Sequence, residues 1–402
     1  MNRPFDIVIV GAGITGLTLA ALLAHSENAE RLRITIVDAG KRPAFDLSED
    51  VSLRVSAIAS GSTGIFASID VWQDIVSQRA CPYRDMRVWD ASAYFEGPDT
   101  LRFEAAEFAV SELGFIVENT LIQHAVLQQL DALNQAVEFE TPIKSIAQSD
   151  ERFSVDFANG ESIAADLIVG ADGAGSFVRN NAGITVDAWA YPQSAFVTHL
   201  RPEKSHQHTA WQRFLRNGPV ALLPLQDGRV SVVWSTTPEE ADKAIAASDD
   251  ELSDMLSEAT DHVLGRLIPE GPRGSFPLKA QHANNYVLPG LALIGDAAHA
   301  VHPLAGQGAN LGLADAARLV SVLDAAIGND EHPGDLPVLR RYERARKGAN
   351  QTMLYFIDSL NRLFLSESDS VAKLRGSGMR LFNLSGPIRE QAVHVALGLN
   401  AQ

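Results

Sequence analysis

Three times along the chain an apolar run of strand length ends in a turn rich in glycine, with an aspartate in or after it, and passes into a helical pattern. Phe5-Asp6-Ile7-Val8-Ile9-Val10 runs into Gly11-Ala12-Gly13-Ile14-Thr15-Gly16, and residues 17–24 follow as an Ala/Leu-rich helix. Residues 33–37 form a second strand that ends at Asp38. Asp166-Leu167-Ile168-Val169 reads as a buried strand entering Gly170-Ala171-Asp172-Gly173-Ala174-Gly175-Ser176, with Phe177-Val178-Arg179 opening the next helix. Leu291-Ala292-Leu293-Ile294 leads into the longest turn. That turn runs from Gly295-Asp296 through His299, His302 and Pro303 to Gly306, Gly308, Asn310, Leu311 and Gly312, and a helix is predicted over 311–326.

Between these units the period changes. Residues 53–62 are interrupted by polar side chains and predict a loop feeding a helix near 62–69. Residues 121–130 predict an amphipathic helix capped by Asn119 or Thr120. Short strands are predicted at 137–140, 143–148, 153–157 and 162–164, the last two joined by Asn159-Gly160. From 186 to 280 the pattern alternates, and residues 220–225 and 229–234 around Asp227-Gly228 predict antiparallel sheet. Within it, residues 239–267 are an acidic helical stretch whose charges read as a solvated face. Residues 339–347 predict a basic helix whose charges read as a solvated face pairing with nearby acids. Met353, Ile357, Leu360 and Phe364, joined by Phe356 and Leu363, form an apolar stripe at helical spacing, which reads as core more readily than as an interface. The implied organisation is α/β. A discontinuous dinucleotide-binding part covers 1–85, 112–185 and 281–345, an inserted antiparallel sheet covers 86–111 and 186–280, and a helical segment covers 346–402.

Composition narrows the partners. A chain of 402 residues, 46% hydrophobic, is long enough for two cores. A net charge of −17 repels nucleic-acid phosphates and opposes electrostatic docking onto an anionic membrane. The one cysteine, Cys81, excludes an intrachain disulfide, and in a loop-like stretch before Pro82 it reads as an inert thiol. No apolar run approaches the roughly 20 residues of a membrane span, and the N-terminus lacks a signal-peptide pattern.

The first turn is a dinucleotide fingerprint in its proper context. Gly11 allows the tight turn, Gly13 lets a pyrophosphate approach the backbone, and Gly16 lets helix and strand pack closely. The pyrophosphate sits on the helix N-terminus, and Asp38 is placed to bind a ribose. Arg54 reads equally as a surface ion pair or an anion contact. His299 and His302 are three apart, yet with no third ligand in sight no metal is expected.

Taken together the three turns resemble the single-component FAD-dependent aromatic hydroxylases of the para-hydroxybenzoate hydroxylase fold group. The resemblance implies a Rossmann-like FAD-binding domain with an inserted β-sheet substrate domain. It places the ADP half of non-covalent FAD on Gly11, Gly13, Gly16 and Asp38, and its pyrophosphate near Asp172 and Gly173. The ribityl chain and flavin ring fall to Gly295, Asp296, Pro303, Gly306, Gly308, Asn310 and Leu311, and Arg54 falls to the pyrophosphate. Further stretches are similar to the ubiquinone-biosynthesis hydroxylases: Leu53-Arg54-Val55-Ser56-Ala57-Ile58, Val71-Trp72-Gln73-Asp74-Ile75, Val88-Trp89-Asp90, Ile116-Val117-Glu118-Asn119, His302-Pro303-Leu304-Ala305-Gly306-Gln307-Gly308, and Tyr342-Glu343-Arg344-Ala345-Arg346-Lys347. Two positions depart from the wider group. Asp38 stands where glutamate is common, and Asn119 where many relatives carry an arginine, which shifts pyrophosphate binding toward Arg54 and the helix N-terminus.

What the resemblance implies is hydroxylation of a polyprenylphenol ring with NADPH or NADH and O₂, through a flavin C4a-hydroperoxide. The branch it most resembles acts at C5, and the C6 and C1 hydroxylases share most of its motifs. The chemistry belongs to the flavin, and His302 is the one side chain singled out for a part in it. The rivals are a hydroxylase of small soluble aromatics, a flavin halogenase (its Trp-x-Trp-x-Ile segment is absent) and a non-enzymatic flavin-binding module. About ten tail carbons cost on the order of 8 kcal/mol to hold in water. Delivery is therefore expected through a lipid carrier or other ubiquinone-biosynthesis proteins, with the 353–364 stripe as the candidate contact and a homo-oligomer left open. The expected location is the cytoplasm, peripheral to the inner membrane if a complex holds it there.

Overall fold

The computed structural model describes residues 3–148, 152–366 and 369–399. One sheet carries all three turns. Its order is Val287–Leu288, Leu291–Leu293, Leu167–Gly170, Phe5–Val10, Leu32–Val37 and Val137–Glu138. Every neighbouring pair is parallel except the first. The three turns therefore leave the carboxyl ends of adjacent strands, where an open α/β sheet places its ligands. Parallel strands are buried on both faces and read as unbroken apolar runs. Ile7, Ile9, Leu167, Ile168, Val169 and Leu293 are accordingly wholly buried. Helices Ile14–Ala24, Asn119–Ala132 and Gln307–Gly328 pack against this core. The hairpin Phe153–Phe157 to Ser162–Ala165 turns at Asn159-Gly160, where Gly160 has φ +92° and the Glu161 N–H donates to the Asn159 side chain.

A nine-stranded sheet forms the second layer, and its long strand Val186–Pro202 pairs with Gly274–Ala283 and Val230–Thr236. Helices Pro238–Ala246 and Asp249–Ala259, the predicted acidic stretch, cover its outer face through Ala241, Ala244, Leu252 and Leu256. The sheet is mixed, not purely antiparallel: Thr209–Leu215 runs parallel to Asp85–Asp90. No hairpin ties those two strands, so nothing local sets their relative direction. His299–Ala300, from the third turn, pairs with Gly274–Ala283 and so joins the two layers.

Three local expectations are corrected. Residues 55–59 are a strand, Val55–Ala59, paired antiparallel with Gly114–Glu118, and the helix after it spans Ser60–Ala67. Its partner lies some sixty residues away, so no local signal revealed it. Cys81 is buried in the strand Cys81–Tyr83, and that burial, with Asp227 adding, pushes its thiol up to about 12. Neither Asn119 nor Thr120 caps the next helix; Glu118 stands at its N-cap and the Asn119 side chain accepts from Ser56 Oγ at 2.7 Å. The basic and apolar patterns near the C-terminus are one helix, Leu336–Leu365. Ile357 and Phe364 of the stripe are buried, with Met353 and Leu360 partly so, in a cluster with Val88 and Phe214 of the mixed sheet. Phe356 and Leu363 remain exposed. Among the described residues no helix is long and apolar enough to cross a membrane.

Candidate active site

The two layers enclose one cavity of about 1350 Å³, lined by all three turns. A single small ligand fills roughly 300–1,000 Å³. Gly11, Gly13, Asp38, Arg54, Asp172, Gly173, Asp296, Pro303, Gly306 and Gly308 line it. Gly16, Gly295, Asn310 and Leu311 do not, and three of them shape the walls instead. A Cβ on Gly16 would stand 2.0 Å from the Gly11 carbonyl oxygen, which makes Gly16 the close-packing glycine. Asn310 accepts from the Ala59 N–H at 2.9 Å and donates to the Ala57 oxygen at 2.8 Å, tying its helix to the strand beside it.

The first two turns suit an extended anionic ligand. Helix Ile14–Ala24 starts at Gly13 without a side-chain cap, so its first N–H groups are free to meet an anion. Asp38 is held at the cavity edge by the N–H groups of Ala12 and Gly40, each at 2.6 Å, which fixes the orientation of its carboxylate. Asp172 accepts from the Val178 N–H at 3.1 Å through one oxygen, and its other oxygen has no partner among the described residues. Asn119 and Arg54 are neighbours, the Asn119 N–H donating to the Arg54 carbonyl at 3.0 Å.

The third turn is pinned atom by atom. Asp315, wholly buried in helix Gln307–Gly328, accepts from the Gly295 N–H at 3.1 Å and from His299 Nε2 at 2.5 Å. Its other oxygen accepts from Arg346 Nε at 2.7 Å and Asn350 Nδ2 at 2.9 Å. Burial alone would push this carboxyl up, but His299, Arg346 and Asn350 hold it down at about 2. Gln281 donates to the Asp296 carbonyl at 2.9 Å, and Arg179, buried, to the Ala297 carbonyl at 3.0 Å. Asp296 itself opens onto the cavity. The surrounding protein raises its pKa, partly offset by His299 and Arg54. Asp315, Arg346, Arg179 and Gln281 were missed from sequence. The available signal is an acid inside an apolar helix, together with Arg346 and Asn350 one turn apart on another; the solvated face expected of the 339–347 charges holds for Arg341 with Glu331 but not for Arg346.

Opposite the turns lies a floor made by one face of four strands. Ala195 and Val197, Ser231, Val233 and Ser235, Pro219, Ala221 and Leu223, and Ala210 and Gln212 all line the cavity. Cross-strand pairing sets them in rows, such as Val197–Val233–Ala221–Gln212. None of these side chains ionises.

His302 does not line the cavity, although Val301 and Pro303 on either side do. It is 1% exposed, its ring meets Tyr191 edge-on at 5.0 Å, and neither ring nitrogen has a partner among the described residues. Burial drives its pKa down to about 4, with a small upward pull from Asp358. The unfolded chain thus takes up a proton below about pH 6.5 while the folded one waits until about 4, so stability falls across that window. His302→Leu is expected to remove about 2 kcal/mol of the stability difference between pH 7 and pH 5. Urea unfolding at the two pH values checks this; equal pH slopes for both proteins would refute it.

The fold and cavity define a class, flavin-dependent monooxygenases of the para-hydroxybenzoate hydroxylase type. The family model described as "FAD binding domain" matches residues 4–356. The "Ubiquinone biosynthesis monooxygenase COQ6, mitochondrial" of Danio rerio is 34% identical, covering 98% of this chain and 90% of its own length. The "3-demethoxyubiquinol 3-hydroxylase" of Escherichia coli K12 is 36% identical, covering 99% of this chain and 100% of its own. The p-nitrophenol 4-monooxygenase PnpA of Pseudomonas putida shares the fold, with a TM-score of 0.76 at 17% identity over 100% of this chain and 98% of its own. The chain belongs to the ubiquinone-biosynthesis hydroxylase family of FAD-dependent monooxygenases.

Proposed function

We propose that this enzyme inserts one oxygen atom of O₂ into the aromatic ring of a polyprenylphenol, at C5, in ubiquinone biosynthesis. NADPH or NADH supplies the two electrons, and the second oxygen atom leaves as water. The observation that carries the reading is the floor: the side chains that its four strands turn to the cavity are small or apolar and uncharged, while the cations that line the cavity, Arg54 and Lys279, stand on other elements. An uncharged, decarboxylated phenol suits that floor, where a carboxylate would lose hydration. The names of the COQ6 and Escherichia coli relatives point to the same pathway.

In this reading Gly11, Gly13, Asp38, Arg54, Asp172 and Gly173 seat the dinucleotide half of FAD, and Asp296, Pro303, Gly306 and Gly308 seat its flavin half. Segments 1–85, 112–185 and 281–345 form the FAD-binding domain, and 86–111 with 186–280 the substrate domain. Bound FAD supplies hydride acceptance and activation of O₂. The chain binds and aligns the phenol against the flavin turn and keeps water out. A lipid carrier or other ubiquinone-biosynthesis proteins deliver the tailed substrate, and exposed Phe356 and Leu363 are the contact offered.

The test is a mass-spectrometric profile of prenylated quinone intermediates in cells lacking this protein. A prenylphenol short of one hydroxyl is expected to accumulate, and the vacant carbon identifies the position. An unchanged quinone pool in a strain without a redundant hydroxylase would overturn the pathway. Accumulation of a compound lacking the C6 or C1 hydroxyl would overturn the position alone.

A further inference from the structure

The floor holds one large polar side chain. Gln212 lies on strand Thr209–Leu215 between Ala210 and Phe214, beside Ala221 on one neighbouring strand and Val88 on the other. It is 7% exposed and lines the cavity. Among the described residues its amide has no hydrogen-bond partner, which leaves two donor and two acceptor positions unfilled. The other buried glutamines are engaged. Gln193 donates to the Asn217 carbonyl at 2.8 Å and accepts from Asn361 at 3.1 Å, and Gln307 donates to the Ala396 carbonyl. For packing alone, leucine or methionine would fill the place of Gln212 as well.

Its position explains what the amide is for. Val88, its neighbour across the strand, packs in one buried cluster with Phe214 and with Leu304 of the third turn. Gln212 therefore sits where the floor meets the turn that takes the flavin ring. Ser231 and Ser235 are the floor's other polar groups, but their short hydroxyls stay close to the strand, whereas the longer amide reaches into the cavity. The amide can accept from a phenol O–H or donate to a phenolate oxygen, so it suits the hydroxyl in either protonation state.

We infer that Gln212 holds the phenol hydroxyl of the substrate and so decides which ring carbon faces the flavin. This rests on the prenylphenol reading above. A site built to bond a hydroxyl rejects the analogue that lacks it, because its own polar group is then left unpaired.

The test uses FAD-loaded enzyme and two probes, 2-prenylphenol and prenylbenzene. Binding is read without turnover, from the change in flavin absorbance on titration. The wild-type protein is expected to bind the phenol about 10- to 100-fold more tightly than prenylbenzene. Gln212→Leu and the length-matched Gln212→Met are expected to bind both probes alike while keeping FAD content and Tm. In turnover they are expected to spread the hydroxyl over more than one ring carbon and to oxidise more NAD(P)H per product. An undiminished preference for the phenol in both variants would overturn the role of Gln212 and leave the prenylphenol reading standing. Failure of the wild-type flavin spectrum to respond to either probe would overturn that reading and the inference with it.

Discussion

Asp315→Ala is expected to yield a protein that retains almost no FAD and unfolds with about 3–5 kcal/mol less stability, the usual cost of removing one partner of a buried ion pair. The carboxylate receives four hydrogen bonds, and two of them come from opposite ends of the turn that carries Asp296. Without it His299, 1% exposed, and Arg346 are left without their anion, and the Gly295 N–H loses its acceptor. Asp315→Asn should be intermediate, because an amide presents donors where Arg346 and Asn350 also donate. The pH dependence has a definite sign. The native carboxyl titrates at about 2, below the unfolded value near 3.8. Its contribution, about 2 kcal/mol, is present in full above about pH 4 and is lost as pH falls toward 2. Urea unfolding followed by tryptophan fluorescence, with FAD content read separately from flavin absorbance, checks both effects. A variant that keeps FAD and stays within 1 kcal/mol of wild type would show that the turn is held by other means.

Two glycines of the first turn are expected to separate fold from cofactor. Gly11 has φ +107°, and a Cβ there would lie 2.4 Å from the Ala171 carbonyl oxygen. Ala171 is itself bonded to Val10 through its N–H, so Gly11→Ala must push apart two paired strand ends in a backbone conformation that alanine resists. The expected loss is about 1–3 kcal/mol from strain, with the clash in addition, and it appears in the apoprotein. At Gly13, φ is −72° and a new Cβ meets nothing within 4 Å. It would project into the cavity at the helix N-terminus, where the pyrophosphate is proposed to lie. Gly13→Ala should therefore fold as wild type and bind FAD at least 10-fold more weakly, by the loss of one or more N–H contacts. Apoprotein melting and FAD titration distinguish the two. Wild-type FAD affinity in Gly13→Ala would place the pyrophosphate elsewhere.

The parallel sheet and its turns could be read from residue order because each unit is local. Strand, glycine turn and helix follow one another within thirty residues, and a strand buried on both faces announces itself as an unbroken apolar run. Gly11, Gly13, Asp38, Asp172, Asp296 and Gly306 stand in or just after such turns, and one cavity gathers them. The failures share one physical cause, a partner distant in sequence. Val55–Ala59 becomes a strand only because Gly114–Glu118 lies beside it. Arg346 turns inward only because Asp315, on another helix, is there to receive it. His302 drew notice through its place in the third turn, yet its ring faces Tyr191, 111 residues earlier in the chain.

Residue order was thus sufficient for the fold class, for the family and for the three turns that one cavity gathers, since each turn rests on contacts between near neighbours along the chain. The substrate side was not legible in the same way. Ala195, Gln212, Ala221 and Val233 come from four strands, and each looks like an ordinary strand residue alone. Cross-strand register puts them on one face, and the packing of that face against the third turn turns them into an uncharged floor with a single unpaired amide. Register is a long-range property, set by which strand lies beside which, and only folding brings those strands together.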